Sequence, residues 1–168
     1  MKGLALLACL FIAGCKALEP RPSMIGVGLT GIDHLPDHLS VQNFWFNGSS
    51  GFQAGKGGRL ACCTSLPREW QPGMTAVVRW HVTNWRDCKW ERYERRVPVD
   101  RYQEAGRVWV HFLADGSVRV VSSGIGPGNP EYPGPQDAIP QKHPPRTYNG
   151  WSPRCPKQGQ PEVKEDLE

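Results

Sequence analysis

Past its first fourteen residues the chain has no apolar run approaching the roughly 20 residues that cross a bilayer as a helix, so no helical span is expected there. Charge of one sign is also scarce. The 20 Lys and Arg stand against 16 Asp and Glu, for a net charge of +4, too small and too evenly mixed to mark a nucleic-acid binder. Long helix-compatible windows are missing, because 19 Gly and 16 Pro interrupt the 168 residues and both are poor inside helices. Several catalytic signatures are absent too. No Ser sits in a Gly-x-Ser-x-Gly elbow, which leaves a serine hydrolase unsupported. Residues 51–56, Gly-Phe-Gln-Ala-Gly-Lys, have three residues between the glycines where a phosphate loop has four. Gly57 follows the lysine where Ser or Thr would hold magnesium. What is present is apolar mass: 39% hydrophobic residues, with 7 Trp, 4 Tyr and 5 Phe. That suffices for a real core, excludes wholesale disorder, and suits one domain or one domain plus a tail.

The first residues are Met1-Lys2-Gly3, a nearly unbroken apolar stretch from Leu4 to Ala13, then Gly14-Cys15. A cationic head, an apolar stretch and small residues before a break form a secretory signal. Ile12-Ala13-Gly14-Cys15 resembles the lipobox of bacterial lipoproteins. The resemblance implies cleavage after residue 14, a diacylglycerol on Cys15 and acylation of the new amino group. Lys16 is not the Asp that resembles an inner-membrane retention signal, so the expected address is the periplasmic face of the outer membrane. Each acyl CH₂ buried is worth about 0.8 kcal/mol, so several chains hold durably. The expected organisation is a signal peptide (1–14), a lipidated tether (15–23), a β domain (24–123) and a Pro/Gly-rich extension with a polar tail (124–168).

From residue 24 the pattern is mostly of period two. Candidate strands cover 25–30, 41–46, 59–65, 75–85, 92–99, 107–113 and 117–122. The clearest places Val78, Trp80 and Val82 on one face and Arg79, His81 and Thr83 on the other. In 107–113, Val108, Val110 and Phe112 point inward. Pro72-Gly73 and Asp115-Gly116 read as turns. Seven short strands at near-regular spacing predict an all-β fold, a small antiparallel sandwich or barrel. Residues 124–168 carry ten Pro and six Gly in 45 positions. Such a stretch cannot make a core, and it reads as an extended wrap as far as Cys155 followed by a polar tail.

With Cys9 lost in the signal and Cys15 lipidated, Cys62, Cys63, Cys88 and Cys155 remain, an even number in an oxidising compartment. Neighbours in a strand point to opposite faces, so Cys62 and Cys63 are each expected to bridge a separate partner, and only Cys88 and Cys155 are left. A vicinal Cys62–Cys63 bridge is the alternative. The pair lacks the spacing of a zinc knuckle, so no metal is expected.

His34 and His38 lie four apart beside Asp33 and Asp37, but Leu35-Pro36 breaks any helix that would let them chelate a metal. They read as a polar turn. His81 and His111 fall opposite the apolar faces of their strands and read as solvent-facing. No cofactor and no enzymatic activity is expected. Two stretches suit a protein interface. Residues 47–58 hold five Gly around Phe52, with Trp45 and Phe46 just before them. Residues 85–93 interleave Trp85, Trp90 and Tyr93 with charges, and Trp, Tyr and Arg dominate interface hot spots. Asn47-Gly48-Ser49 matches a glycosylation sequon, irrelevant in a bacterial host.

Residues 57–73 read Gly-Gly-Arg-Leu-Ala-Cys-Cys-Thr-Ser-Leu-Pro-Arg-Glu-Trp-Gln-Pro-Gly, followed by Val78-Arg79-Trp80. This block resembles the signature of a family of short proteobacterial lipoproteins bearing a domain of unknown function. Gly31-Ile32-Asp33-His34, with Asp where the family has Asn, residues 110–113, residues 116–120 and Gly126-Pro127-Gly128 fit as well. The resemblance spans about residues 26–134. It implies an immunity protein that neutralises a secreted phospholipase effector of type VI secretion; the mechanism expected is steric occlusion, and the expected periplasmic address leaves no nucleic acid as a partner. The alternative is a structural or accessory envelope lipoprotein with no toxin partner.

Overall fold

The computed structural model describes residues 22–57 and 59–142. Eight strands form two four-stranded sheets packed face to face: β1 (Met24–Asp33), β2 (Leu39–Phe46), β3 (Ser49–Phe52), β4 (Ala61–Pro67), β5 (Thr75–Asn84), β6 (Lys89–Pro98), β7 (Arg107–Phe112) and β8 (Val118–Ser123). One sheet runs β4-β1-β7-β8 and the other β3-β2-β5-β6. All pairings are antiparallel except β1 with β7. The expected all-β sandwich is present, with eight strands where seven were expected.

The additional strand is β3, which falls in the glycine-rich stretch 47–58, where no strand was expected. Asn47 and Gly48 both have positive φ, 47° and 86°, the conformation of the tight turn that joins antiparallel strands. The Asn47 amide oxygen also accepts the Val77 N–H at 2.9 Å. Gly51 is required because the Phe44 ring lies where a side chain would go: an added Cβ would sit 1.9 Å from a ring carbon.

The period-two faces meet in the middle. Leu29, Val108, Val110, Phe112 and Val120 of one sheet pack on Phe44, Phe46, Val78, Trp80 and Val97 of the other. Phe44 meets Phe112 edge-on with ring centroids 5.5 Å apart, and Trp80 lies 5.6 Å from Phe112, separations typical of favourable aromatic pairs. Burying such side chains is worth about 1.5–3 kcal/mol each, the main source of the fold's stability.

Strand alternation fails at the two cysteines. Val27 pairs with Thr64 and Leu29 with Ala61, so Gly28 alone opposes both Cys62 and Cys63. This two-against-one count is a β-bulge. Both cysteines are exposed and are bridged to each other. The expectation of separate partners is therefore corrected: it assumed regular alternation, which the bulge removes. Cys88 is disulfide-bonded as well. Cys15 and Cys155 lie outside the described residues, as do the stretch expected to be a signal peptide and the expected tether up to residue 21.

Residues 124–142 form a strap that runs from the β8 end, along the outer face of the β4-β1-β7-β8 sheet, to the far end of β1. Ile125, Tyr132 and Ile139 pack there on Ile32, Trp109 and Val121 as a second hydrophobic cluster. The proline-rich stretch thus contributes to a core, contrary to expectation. It has no apolar face of its own, but it completes one that β1, β7 and β8 present. Gly126 permits the contact, since a Cβ there would come 2.5 Å from the Trp109 ring.

Candidate functional site

The strap is held by a buried polar network. At the end of β1, Asp33 is 1% exposed. Its Oδ1 accepts from the Leu35 N–H at 3.1 Å and from Lys142 Nζ at 2.9 Å, and its Oδ2 accepts from the Val41 N–H at 3.0 Å. Lys142 also donates to the Leu35 carbonyl at 2.6 Å. Next to it, His34 Nδ1 lies 3.4 Å from the Ala138 carbonyl, His34 Nε2 lies 2.9 Å from His111 Nδ1, and His111 Nε2 lies 2.6 Å from the Tyr132 hydroxyl. One proton assignment satisfies every group with both imidazoles neutral. His34 Nδ1–H donates to the carbonyl, His111 Nδ1–H donates to His34, and the Tyr132 O–H donates to His111. Burial pushes His111 down to about 3, with His34 and Arg119 adding to the effect. Burial raises the Tyr132 hydroxyl. Each member has its partner, and connected chains of this kind strengthen one another in a low-dielectric interior.

This arrangement corrects two sequence readings. His111 is fully buried, not solvent-facing, because the strap covers the outer face of β7. His34 is also buried and belongs to this chain of contacts, not to a polar turn with His38. His38 lies beside Asp37, 3.3 Å away. Among the described residues, no group of three or more His, Cys, Asp and Glu could hold a metal. The network contains no free nucleophile at a cleft. Chemically, it holds the strap down.

The interface candidates separate by face. Phe46 is corrected: it is fully buried in the sandwich core and unavailable to a partner. Tyr93 points inward, stacked on Trp80 at 5.1 Å, with its hydroxyl donating to Glu91. Trp85 caps the far end of β5, donating its indole N–H to Ser40 Oγ at 2.9 Å. Phe52 remains half exposed, with the Arg59 guanidinium 5.9 Å above its ring. Trp45 and Trp90 lie on the outer face of the β3-β2-β5-β6 sheet. In the β5–β6 register, Arg79 stands opposite Glu94, His81 opposite Arg92, and Thr83 opposite Trp90. Trp45 pairs with Arg79 across β2–β5 and its ring is 5.1 Å from His81. Arg79 Nε bonds Glu94 Oε2 at 2.5 Å. Trp45, Gly48, Arg79, His81, Arg92 and Glu94 line an open groove of about 560 Å³ on this face.

Arg79 and Glu94 join this surface from outside the two stretches that the sequence singles out. The outward alternation of Arg79 and His81 was legible. Their pairing with β6 was not, because register depends on the turn at 85–88.

The chain matches a family model described as "Protein of unknown function (DUF3304)" over residues 36–120, just over half of its length. No curated protein and no solved structure matches it.

Proposed function

The chain belongs to the family of proteins of unknown function DUF3304, and from that premise we propose that it is a lipid-anchored periplasmic immunity protein that captures a phospholipase effector of type VI secretion and blocks it sterically. The observation that carries the reading is the outer face of the β3-β2-β5-β6 sheet. There, the partly exposed Trp45 lines an open groove with Arg79, His81 and Arg92, and the partly exposed Trp90 lies further along the same face, opposite Thr83. Tryptophan and arginine on a rigid sheet supply large contact area at little entropic cost, the composition of interface hot spots. Tight inhibition needs about 1,600 Å² of interface in total, which this face and its loops can contribute to.

The lipobox-like Ile12-Ala13-Gly14-Cys15 supports the anchor. Residues 16–23 extend to at most about 28 Å, so an anchored domain stays near the lipid surface where the effector works. Anchoring raises the local inhibitor concentration without any new contact.

The test is co-expression in the periplasm with a type VI phospholipase effector encoded beside this chain. The lipidated form restores growth, and Cys15→Ser weakens the protection. Equal killing with and without the chain overturns the reading.

A further inference from the structure

Between the β3–β4 connection and the end of the strap lies a cavity of about 290 Å³, lined by Asp33, Ser40, residues 53–57, Arg59 and residues 139–142. Its charges do not cancel. Both oxygens of Asp33 are committed to Leu35, Val41 and Lys142, and the 2.9 Å contact with Lys142 neutralises the carboxylate. That leaves Lys56 and Arg59, with no second carboxylate among the lining residues. Lys56 Nζ donates to a neutral partner, the Gln141 side-chain oxygen, at 3.2 Å. The Arg59 guanidinium rests over the Phe52 ring. The lining therefore carries two positive charges in excess, next to the amides of Gln53 and Gln141.

The wall that bears them is held in place. Gly55 exchanges backbone bonds with β1: the Asp33 N–H donates to its carbonyl at 3.0 Å, and its own N–H donates to the Gly31 carbonyl at 3.1 Å. Gly57, at φ +86°, lies so close to Ile32 that a Cβ would come within 2.8 Å of that side chain. Two exposed cations carried on this fixed wall, with neutral amide groups around a small cavity, suit a dianion. Arginine recognises phosphate oxygens with its planar fork, and lysine recognises them as a point charge. The volume is at the low end of small-molecule sites, which run from about 300 to 1,000 Å³, so the group bound is compact.

We propose that this cavity is a phosphate-binding site that takes the phosphate of a small ester or of a lipid head group between Lys56 and Arg59. It shares no lining residue with the groove beside Trp45 and is independent of any phospholipase partner. Because residues 139–142 form one wall, occupancy also stabilises the docked strap.

Titration calorimetry of the full chain in detergent, at fixed ionic strength, tests it with glycerol 3-phosphate against glycerol. Binding of the ester alone is expected. The double substitution Lys56→Gln, Arg59→Gln weakens it at least tenfold, while Arg79→Gln, Arg92→Gln, which removes the same charge elsewhere, leaves it unchanged. Circular dichroism verifies that both variants are folded. Absence of binding overturns the proposal, as does equal weakening by the two double variants, since binding would then follow net charge alone. Sedimentation of the Cys15→Ser chain with vesicles distinguishes the sources. Lys56- and Arg59-dependent binding to phosphatidic acid but not to phosphatidylcholine vesicles assigns a lipid head group. Binding of glycerol 3-phosphate without vesicle binding assigns a soluble ester.

Discussion

His111 is the residue whose environment differs most from what its neighbours in the chain suggest. On an exposed strand face it would titrate near 6.5. Under the strap it is fully buried and held neutral, pushed down to about 3. The unfolded chain therefore binds a proton at this site below about pH 6.5 while the folded chain does not. The contribution is fully present above pH 6.5. It is lost as pH falls from there toward 3, at up to about 1.4 kcal/mol per pH unit. Urea unfolding between pH 7 and 4 should show this slope, and His111→Gln should flatten it. Tyr132→Phe removes the donor to His111 Nε2 and leaves a buried acceptor unpaired. The expected cost is about 1–3 kcal/mol in the same measurement. The burial of His111 was illegible in the sequence, because it is imposed by the 124–142 strap, 13 to 31 positions further along the chain.

At the level of elements, the β2–β3 hairpin and the β4 bulge depend on local backbone geometry. Asn47-Gly48 is a strong hairpin signal, so β3 was in principle readable. The surrounding glycines masked it, because they weaken β propensity. What the third strand needs is visible at Gly51, where Phe44 leaves no room for a side chain. Gly51→Ala should cost about 1–3 kcal/mol through overpacking, read as a lowered midpoint in chemical unfolding. Gly55→Ala meets open space and should stay within about 0.5 kcal/mol of the parent. The bulge had no equivalent signal in the sequence. Adjacent cysteines in a regular strand diverge, and only the two-against-one pairing opposite Gly28 shows that these two do not.

For the whole molecule, the two sheets present different outer faces. The β4-β1-β7-β8 face is largely covered by the strap, with Asp33, His34, His111, Tyr132 and Lys142 as its polar fastenings. The opposite face is open and carries Trp45, Trp90 and the arginines. If that open face engages the proposed effector, Trp45→Ala with Arg92→Ala should remove protection in the co-expression assay. Soluble yield and unfolding midpoint should remain near those of the parent, because both residues lie outside the core. Each hot-spot truncation is expected to cost about 2 kcal/mol or more of binding, roughly a thirtyfold loss of affinity. Retained protection by the double variant would move the interface to another surface.

Alternating apolar residues at 27–29, 44–46, 78–82, 108–112 and 118–120, punctuated by Gly and Pro turns, were enough to specify an all-β chain and most of its strands. Burial of one strand face is a local property, written in a period of two. The lipobox-like N-terminus and the cysteine count are equally local, and they motivate the functional reading. Tertiary structure alone decided which sheet faces stay open and which residues share a site. It also decided that Asp33 and Lys142, 109 positions apart, form an ion pair, and that neighbouring cysteines bridge. Each of these depends on the register between strands and on where the 124–142 strap docks. Both are set by contacts between distant residues, which no local pattern in the chain encodes.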